Sequence, residues 1–187
     1  MTSIKITVLG IGAVGKSCLS IRFIRDIFLD DYEPTISDNY QKTINIEGKS
    51  YVVDILDTAG MENNSVLQNA TIKQRDCFIL VYSIADRASF DSIGRIYDDI
   101  VRIKELNEND NVPCILCANK VDLPERHVDT ADGQELADKI HAIYLETSAK
   151  TGYNVDKAIM AAVNEVIKKF PTEPAPKPPK KPWCNIL

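Results

Sequence analysis

Lys16 and Ser17 are the residues from which the chemistry of this chain is read. They close the stretch Gly10-Ile11-Gly12-Ala13-Val14-Gly15-Lys16-Ser17, which follows the apolar run Ile4 to Leu9 and opens onto Cys18-Leu19-Ser20-Ile21-Arg22-Phe23. A strand, a Gly-rich turn and Gly-Lys-Ser at a helix start make the P-loop arrangement. Glycines admit dihedrals that crowd other residues, and without a Cβ a phosphate can lie against backbone N–H groups. The helix N-terminus adds unpaired donors and the positive end of its dipole. Residues Gly12 to Cys18 therefore form a phosphate cradle, with Lys16 reaching the β- and γ-phosphates and Ser17 ligating Mg²⁺ through its hydroxyl.

Other segments have the spacing that a nucleotide site needs. Asp57-Thr58-Ala59-Gly60 ends a strand, where the carboxylate can hold Mg²⁺ (through water) and the Gly60 N–H can meet a γ-phosphate. Thr35, in Tyr32-Glu33-Pro34-Thr35-Ile36, lies in a polar loop and offers the metal a second hydroxyl. Asn119-Lys120-Val121-Asp122, continued by Leu123, follows one apolar strand, and Ser148-Ala149-Lys150 follows another. An Asp at position 122 accepts both N1–H and the exocyclic amine of guanine. Adenine presents the opposite pattern and would leave a buried group unpaired, a discrimination of roughly a few kcal/mol. Each segment alone is ordinary loop chemistry. In this order, each at the carboxyl end of a strand, they converge on the edge where open α/β sheets bind ligands.

The elements that must position these residues are legible in the hydrophobic pattern. The chain has 187 residues, 44% hydrophobic and 26% charged, which suits one globular domain with a short tail. A net charge of −5 argues against nucleic acid as a partner. Met1-Thr2-Ser3-Ile4-Lys5 does not read as a secretory signal, and the odd count of 5 cysteines suggests no disulfide framework, so a cytosolic chain is expected. Apolar runs alternate with helical patterns, predicting an α/β sandwich around a largely parallel sheet. Tyr40 to Ile46 and Tyr51 to Leu56 read as strands joined by the turn Glu47-Gly48-Lys49-Ser50, so one strand runs antiparallel. Cys77 to Tyr82 and Val112 to Ala118 read as central strands. Phe90, Ile93, Tyr97, Ile100 and Ile103 recur at helical spacing. Ala131 to Ala142 reads as a weaker helix, Ile143 to Leu145 as a short strand, and Val155 to Phe170 as an amphipathic helix. Cys114-x-x-Cys117, inside an apolar strand and without a second pair, reads as core packing rather than a redox or metal site. His127 and His141 are assigned no chemistry.

From residue 3 to residue 170, and again at the C-terminus, the sequence resembles the Ras family of small GTPases. The motifs are GIGAVGKS (10–17), YEPTISDNY (32–40), DTAG (57–60), NKVD (119–122) and SAK (148–150). Leu56-Asp57-Thr58-Ala59, and the lack of a long insertion after Asp122, point to the Ras rather than the Rho branch. The resemblance implies a P-loop NTPase three-layer fold, with a six-stranded sheet carrying one antiparallel strand and flanked by about five helices. It also implies bound GDP or GTP with Mg²⁺, two switch segments, Phe28 packing on guanine and Tyr32 with Pro34 closing over the phosphates. Effectors are expected at residues 32–40, exchange factor and activating protein at residues 57–75, and the protein as a monomer.

The chain departs from the family in ways that bear on turnover. After Gly60 the family usually carries a Gln that orients the attacking water; here the residue is Met61. Asn63-Asn64 replace the usual acidic residue and Tyr, and Ser37 replaces a Glu of the effector loop. Gly12 is kept, leaving room for an arginine supplied in trans.

Composition breaks at Pro171, giving a domain at residues 1–170 and a Pro/Lys-rich tail at 171–187 that favours an extended polyproline conformation. The tail ends Cys184-Asn185-Ile186-Leu187, a C-a-a-X sequence whose terminal Leu favours geranylgeranyl on Cys184. Lys177, Lys180 and Lys181 supply a second, electrostatic membrane signal. The expected protein is a guanine-nucleotide switch on the cytoplasmic face of a membrane, the plasma membrane being the expected one, with slow intrinsic hydrolysis. Lys16, Thr35, Gly60 and Met61 stand at the reaction, and no residue is assigned as general base. The rival readings are a GTP-binding scaffold that barely turns over and an ATP-using P-loop enzyme.

Overall fold

The computed structural model describes residues 2–28, 37–58, 66–107 and 110–171. In chain order the elements are β1 (Thr2–Leu9), α1 (Lys16–Arg25), β2 (Ser37–Ile46), β3 (Lys49–Thr58), α2 (Val66–Lys73), β4 (Cys77–Ser83), α3 (Arg87–Asp91), α4 (Ile93–Ile103), β5 (Cys114–Asn119), α5 (Thr130–Lys139), β6 (Ile143–Glu146) and α6 (Val155–Lys169). The sheet has six strands in the order β2-β3-β1-β4-β5-β6, and β2 alone runs antiparallel to its neighbour. This is the mixed sheet expected from the resemblance.

The central strands are continuous apolar runs because both of their faces are covered. Along β4, Ile79 and Val81 face one core with α1 and α6, while Phe78, Leu80 and Tyr82 face the other with α4 and α5. The same alternation separates the cysteines of β5. Cys117 lies in the first core and Cys114 in the second, and both are buried free thiols. Thiols three positions apart on one strand point to opposite faces, so this pair cannot close a disulfide or share a metal. Their role is core packing.

The β2–β3 turn is tighter than the four residues read from sequence. Ile46 pairs directly with Lys49, leaving Glu47 (φ 50°) and Gly48 (φ 76°) as the connection. Positive φ at both positions gives the turn the twist that a two-residue hairpin needs. The single helix expected around Phe90 begins earlier, at Arg87, because the Asp86 carboxylate accepts the Ser89 N–H (3.2 Å), and it is interrupted at Ser92. Helix α2 carries too little apolar periodicity to be predicted. It is held from outside, by Lys104, whose ammonium donates to the carbonyls of Ile72 (3.5 Å), Lys73 (3.2 Å) and Arg75 (2.7 Å) at the helix end. Among the described residues no helix is long and apolar enough to cross a membrane.

Two helical glycines make a matched test of packing against propensity. A Cβ at Gly133 in α5 would stand 2.5 Å from the Tyr82 hydroxyl and 2.6 Å from Tyr144 Cε2, whereas one at Gly94 in α4 would meet nothing within 4 Å among the described residues. Gly94→Ala is expected to stabilise the fold by about 0.5 kcal/mol through chain entropy. Gly133→Ala should instead cost about 1–3 kcal/mol through overpacking. Urea unfolding of both variants decides, and a Gly133→Ala protein as stable as Gly94→Ala would refute the packing argument.

Candidate functional site

The P-loop lies between β1 and α1, and its glycines are required by close approach. A Cβ at Gly10 would stand 2.3 Å from the Val81 carbonyl oxygen, and one at Gly15 (φ 95°) 2.5 Å from Asn119 Nδ2. Gly12 is different: a Cβ there meets nothing within 4 Å among the described residues. Helix α1 starts at Gly15 without a side-chain cap and has no acidic residue in its first turn. Its first N–H groups therefore keep the polarity that suits an anion. The Lys16 ammonium donates across the loop to the Ile11 carbonyl at 2.8 Å. Burial lowers the Lys16 pKa, and the Asp57 carboxylate works against that shift.

Asp57, at the carboxyl end of β3, is an unusual charge. It is fully buried, and neither carboxylate oxygen has a hydrogen-bond partner among the described residues. Burial pushes its pKa up to about 6, against the pull of the Ser17 hydroxyl and the Lys16 ammonium, while Asp38 adds repulsion. An unpaired buried carboxylate is costly unless a cation completes it. Beside the Ser17 hydroxyl it makes an all-oxygen set of the kind Mg²⁺ prefers when it also binds phosphates and water. The residues present fit the metal.

On the base side, side chains tie three loops into one unit. Asn119, buried at the end of β5, donates Nδ2–H to the Val14 carbonyl (2.9 Å), while its Oδ1 accepts from Thr147 Oγ1 (3.2 Å) and the Ala149 N–H (3.3 Å). Lys120 donates to the Ala13 carbonyl at 2.7 Å. Asp122 Oδ1 accepts from Ser148 Oγ at 2.5 Å, and Ser148 Oγ accepts the Thr151 N–H at 3.1 Å. Asn119 thus acts as a strap between the phosphate loop and the Ser148 loop, its polar atoms spent within the protein. Leu123 is 40% exposed beside Asp122, and Phe28 is half-buried against the core that α1 shares with α6.

Sequence reasoning missed the groups behind these loops. Glu146 Oε1 accepts from Thr130 Oγ1 (2.8 Å) and pairs with Arg126 (2.9 Å), and the Glu146 carbonyl accepts Asn154 Nδ2–H (2.9 Å). These contacts join the segment after Asp122 to the segment before Ser148. Thr147 and Glu146 adjoin a recognised motif, which was the signal available. Of the residues assigned from sequence, Gly12 to Cys18, Phe28, Asp57, Asn119, Lys120, Asp122, Leu123, Ser148, Ala149 and Lys150 are described. Tyr32, Pro34, Thr35, Gly60, Met61, Asn63, Asn64, Lys177, Lys180, Lys181 and Cys184 lie outside the described residues.

A Gly-rich turn closing on Lys16 and Ser17 at the carboxyl edge of a mostly parallel sheet defines a P-loop nucleotide-binding protein. The sequence model of the Ras family matches residues 5–168. The chain is 44% identical over 186 residues to the Ras-like protein RAS2 of Hydra vulgaris, covering 98% of this chain and 95% of that one. It is 40% identical over 189 residues to the Ras-like protein rasC of Dictyostelium discoideum, covering 98% of each chain, and 42% identical over 169 residues to rasS of the same organism, covering 90% and 86%. The chain belongs to the Ras family of small GTPases, proteins that act as GTP-dependent switches.

Proposed function

We propose that this protein is a membrane-tethered guanine-nucleotide switch in signal transduction, one that hydrolyses GTP slowly on its own. The observation that carries the nucleotide reading is the base-side unit in which Asp122, steadied by Ser148, is tied through Asn119 to the phosphate loop. Lys16 and the backbone of residues 12–18 bind the phosphates, Ser17, Thr35 and Asp57 hold Mg²⁺, and Gly60 meets the γ-phosphate. Lys120, Leu123 and Phe28 flank the base; Ala149 and Lys150 complete its loop; Tyr32 and Pro34 cover the phosphates. Mg²⁺ held by Ser17, Thr35 and, through water, Asp57 would supply charge neutralisation to the phosphates. Gly12, where a Cβ would meet nothing within 4 Å among the described residues, supports turnover assisted by an activating protein whose arginine reaches in. Effectors meet residues 32–40, and regulators meet 57–75. The test is competition against a fluorescent GDP: GTP should displace it and ATP should not. Equal displacement by ATP would refute the guanine reading.

The tail supports an anchor on the cytoplasmic face of a membrane, the plasma membrane being the proposed one. Prenylation of Cys184 gives one hydrophobic chain, which alone binds marginally; Lys177, Lys180 and Lys181 add about 1 kcal/mol each at an anionic surface. Prenylated protein should pellet with vesicles containing phosphatidylserine, and replacing the three lysines should release it. Cys184→Ser protein should stay soluble; if it still fractionates with membranes in cells, another anchor is present.

A second reading, a GTP-binding scaffold that barely turns over, is favoured by Met61 alone, and single-turnover hydrolysis separates it from the first.

A further inference from the structure

Strand β2 presents one half-buried face to the core of α1 and α6, with Tyr40, Ile44 and Ile46 packed there and Asn39, Gln41, Thr43 and Asn45 facing outward. Lys42 falls in the inward row, where the alternation calls for an apolar side chain. It has a specific occupation. Its ammonium donates to the Phe23 carbonyl at 2.6 Å and stands 4.4 Å from the centroid of the Phe23 ring. Phe23 lies in the last turn of α1, whose carbonyls have no partner within the helix. The Asp26 N–H takes the Arg22 carbonyl (2.9 Å), and Lys42 takes the next one. A cation there also meets the negative end of the helix dipole.

The geometry has a consequence for the nucleotide. Helix α1 begins in the phosphate loop, ends at Arg25 and delivers the chain to Phe28, which packs in the same core as Phe23. The far end of that helix is pinned by a residue of the strand that continues the effector segment. An inward lysine on an edge strand can also serve only to discourage pairing with another sheet. That role needs a charge, and it requires neither a helix-end carbonyl nor an aromatic face.

We propose that Lys42 is a positioning residue for nucleotide retention: by fixing the C-terminal end of α1 it holds Phe28 where it packs on the guanine, and so slows release. The proposal rests on the reading of Phe28 given above. Its test is a double-mutant cycle on the full chain, following release of fluorescent GDP into excess unlabelled GDP. Lys42→Ile completes the apolar row of β2, and Lys42→Met keeps the aliphatic stem should the first variant fold poorly. Either should speed release by about tenfold, the worth of one charge-assisted hydrogen bond. The association rate should stay near native, and the acceleration should persist when Mg²⁺ is chelated. Phe28→Leu should itself speed release, and in that background Lys42→Met should add less than about twofold, the non-additivity of residues acting as one unit. A general loss of stability would add its full factor in both backgrounds and would overturn the proposal, as would native-like release from the Lys42 variants. Native-like release from Phe28→Leu would overturn the Phe28 reading itself, and the proposal with it, whatever Lys42 does.

Discussion

Asp122→Asn is expected to weaken GDP binding by at least two orders of magnitude and to turn preference toward xanthosine diphosphate. In the proposed reading the native carboxylate accepts two guanine protons, N1–H and the exocyclic amine. Its orientation is set by the Ser148 hydroxyl, which donates to Oδ1 at 2.5 Å, and the carbonyl–amide straps of Asn119 fix the Ser148 loop in turn. An amide of the same shape keeps one acceptor and presents a donor where guanine presents another. Bonds to a charged group are worth about 1.5–3 kcal/mol each, and a mismatched donor leaves a buried group unpaired as well. At about 1.4 kcal/mol per tenfold, a loss of that size is a hundredfold or more. Xanthine carries a carbonyl where guanine carries its amine, so the new donor finds an acceptor. Displacement of fluorescent GDP by GDP and by xanthosine diphosphate measures both changes. A variant that still prefers GDP by the native margin would show that Asp122 does not read the base.

What the sequence revealed and what it hid follow the range of the interactions concerned. The phosphate loop was legible because the spacing of its glycines before Lys16 and Ser17 is itself a sequence signature, although the contacts that exclude a Cβ at Gly10 and Gly15 come from Val81 of β4 and Asn119 of β5 and emerge only in the fold. Strands β4 and β5 were legible because full burial on both faces writes an unbroken apolar run. Helix α2 was hidden because its end is held by Lys104, a residue of the chain after α4, and because the Arg75 guanidinium that follows it pairs with Asp54 of β3 at 2.7 Å. Neither partner leaves a mark on α2 itself. The role of Asn119 was only half legible. Its place after a buried strand marked it as part of the base site, but its partners Val14, Thr147 and Ala149 come from other elements and emerge only in the fold. Lys42 was hidden too: its partner, the Phe23 carbonyl at the end of α1, lies on another element and emerges only in the fold.

Met61→Gln should raise intrinsic GTP hydrolysis by about a hundredfold, the usual effect of restoring one positioned group at a reacting centre. Phosphoryl transfer to water requires the attacking molecule in line with the departing GDP oxygen, and the protein contributes chiefly by positioning and charge. A carboxamide at residue 61 can accept from that water while donating toward the γ-phosphate. A thioether is a weak acceptor and has no proton to donate. Gln differs from Met at this position in chemistry more than in bulk, so GDP affinity should stay nearly native, since the proposed function assigns the base and β-phosphate to residues 12–18, 119–123 and 148–150. Met61→Ala, which also lacks a carboxamide, should hydrolyse as slowly as the native protein. Asn63 and Asn64 bring carboxamides close in sequence, so Asn63→Ala and Asn64→Ala belong beside the other variants. Single-turnover hydrolysis at saturating Mg²⁺ reads all of them. Native and Met61→Gln proteins that hydrolyse alike would acquit Met61, and loss of turnover in Asn63→Ala or Asn64→Ala would then identify the group that orients the water in its place.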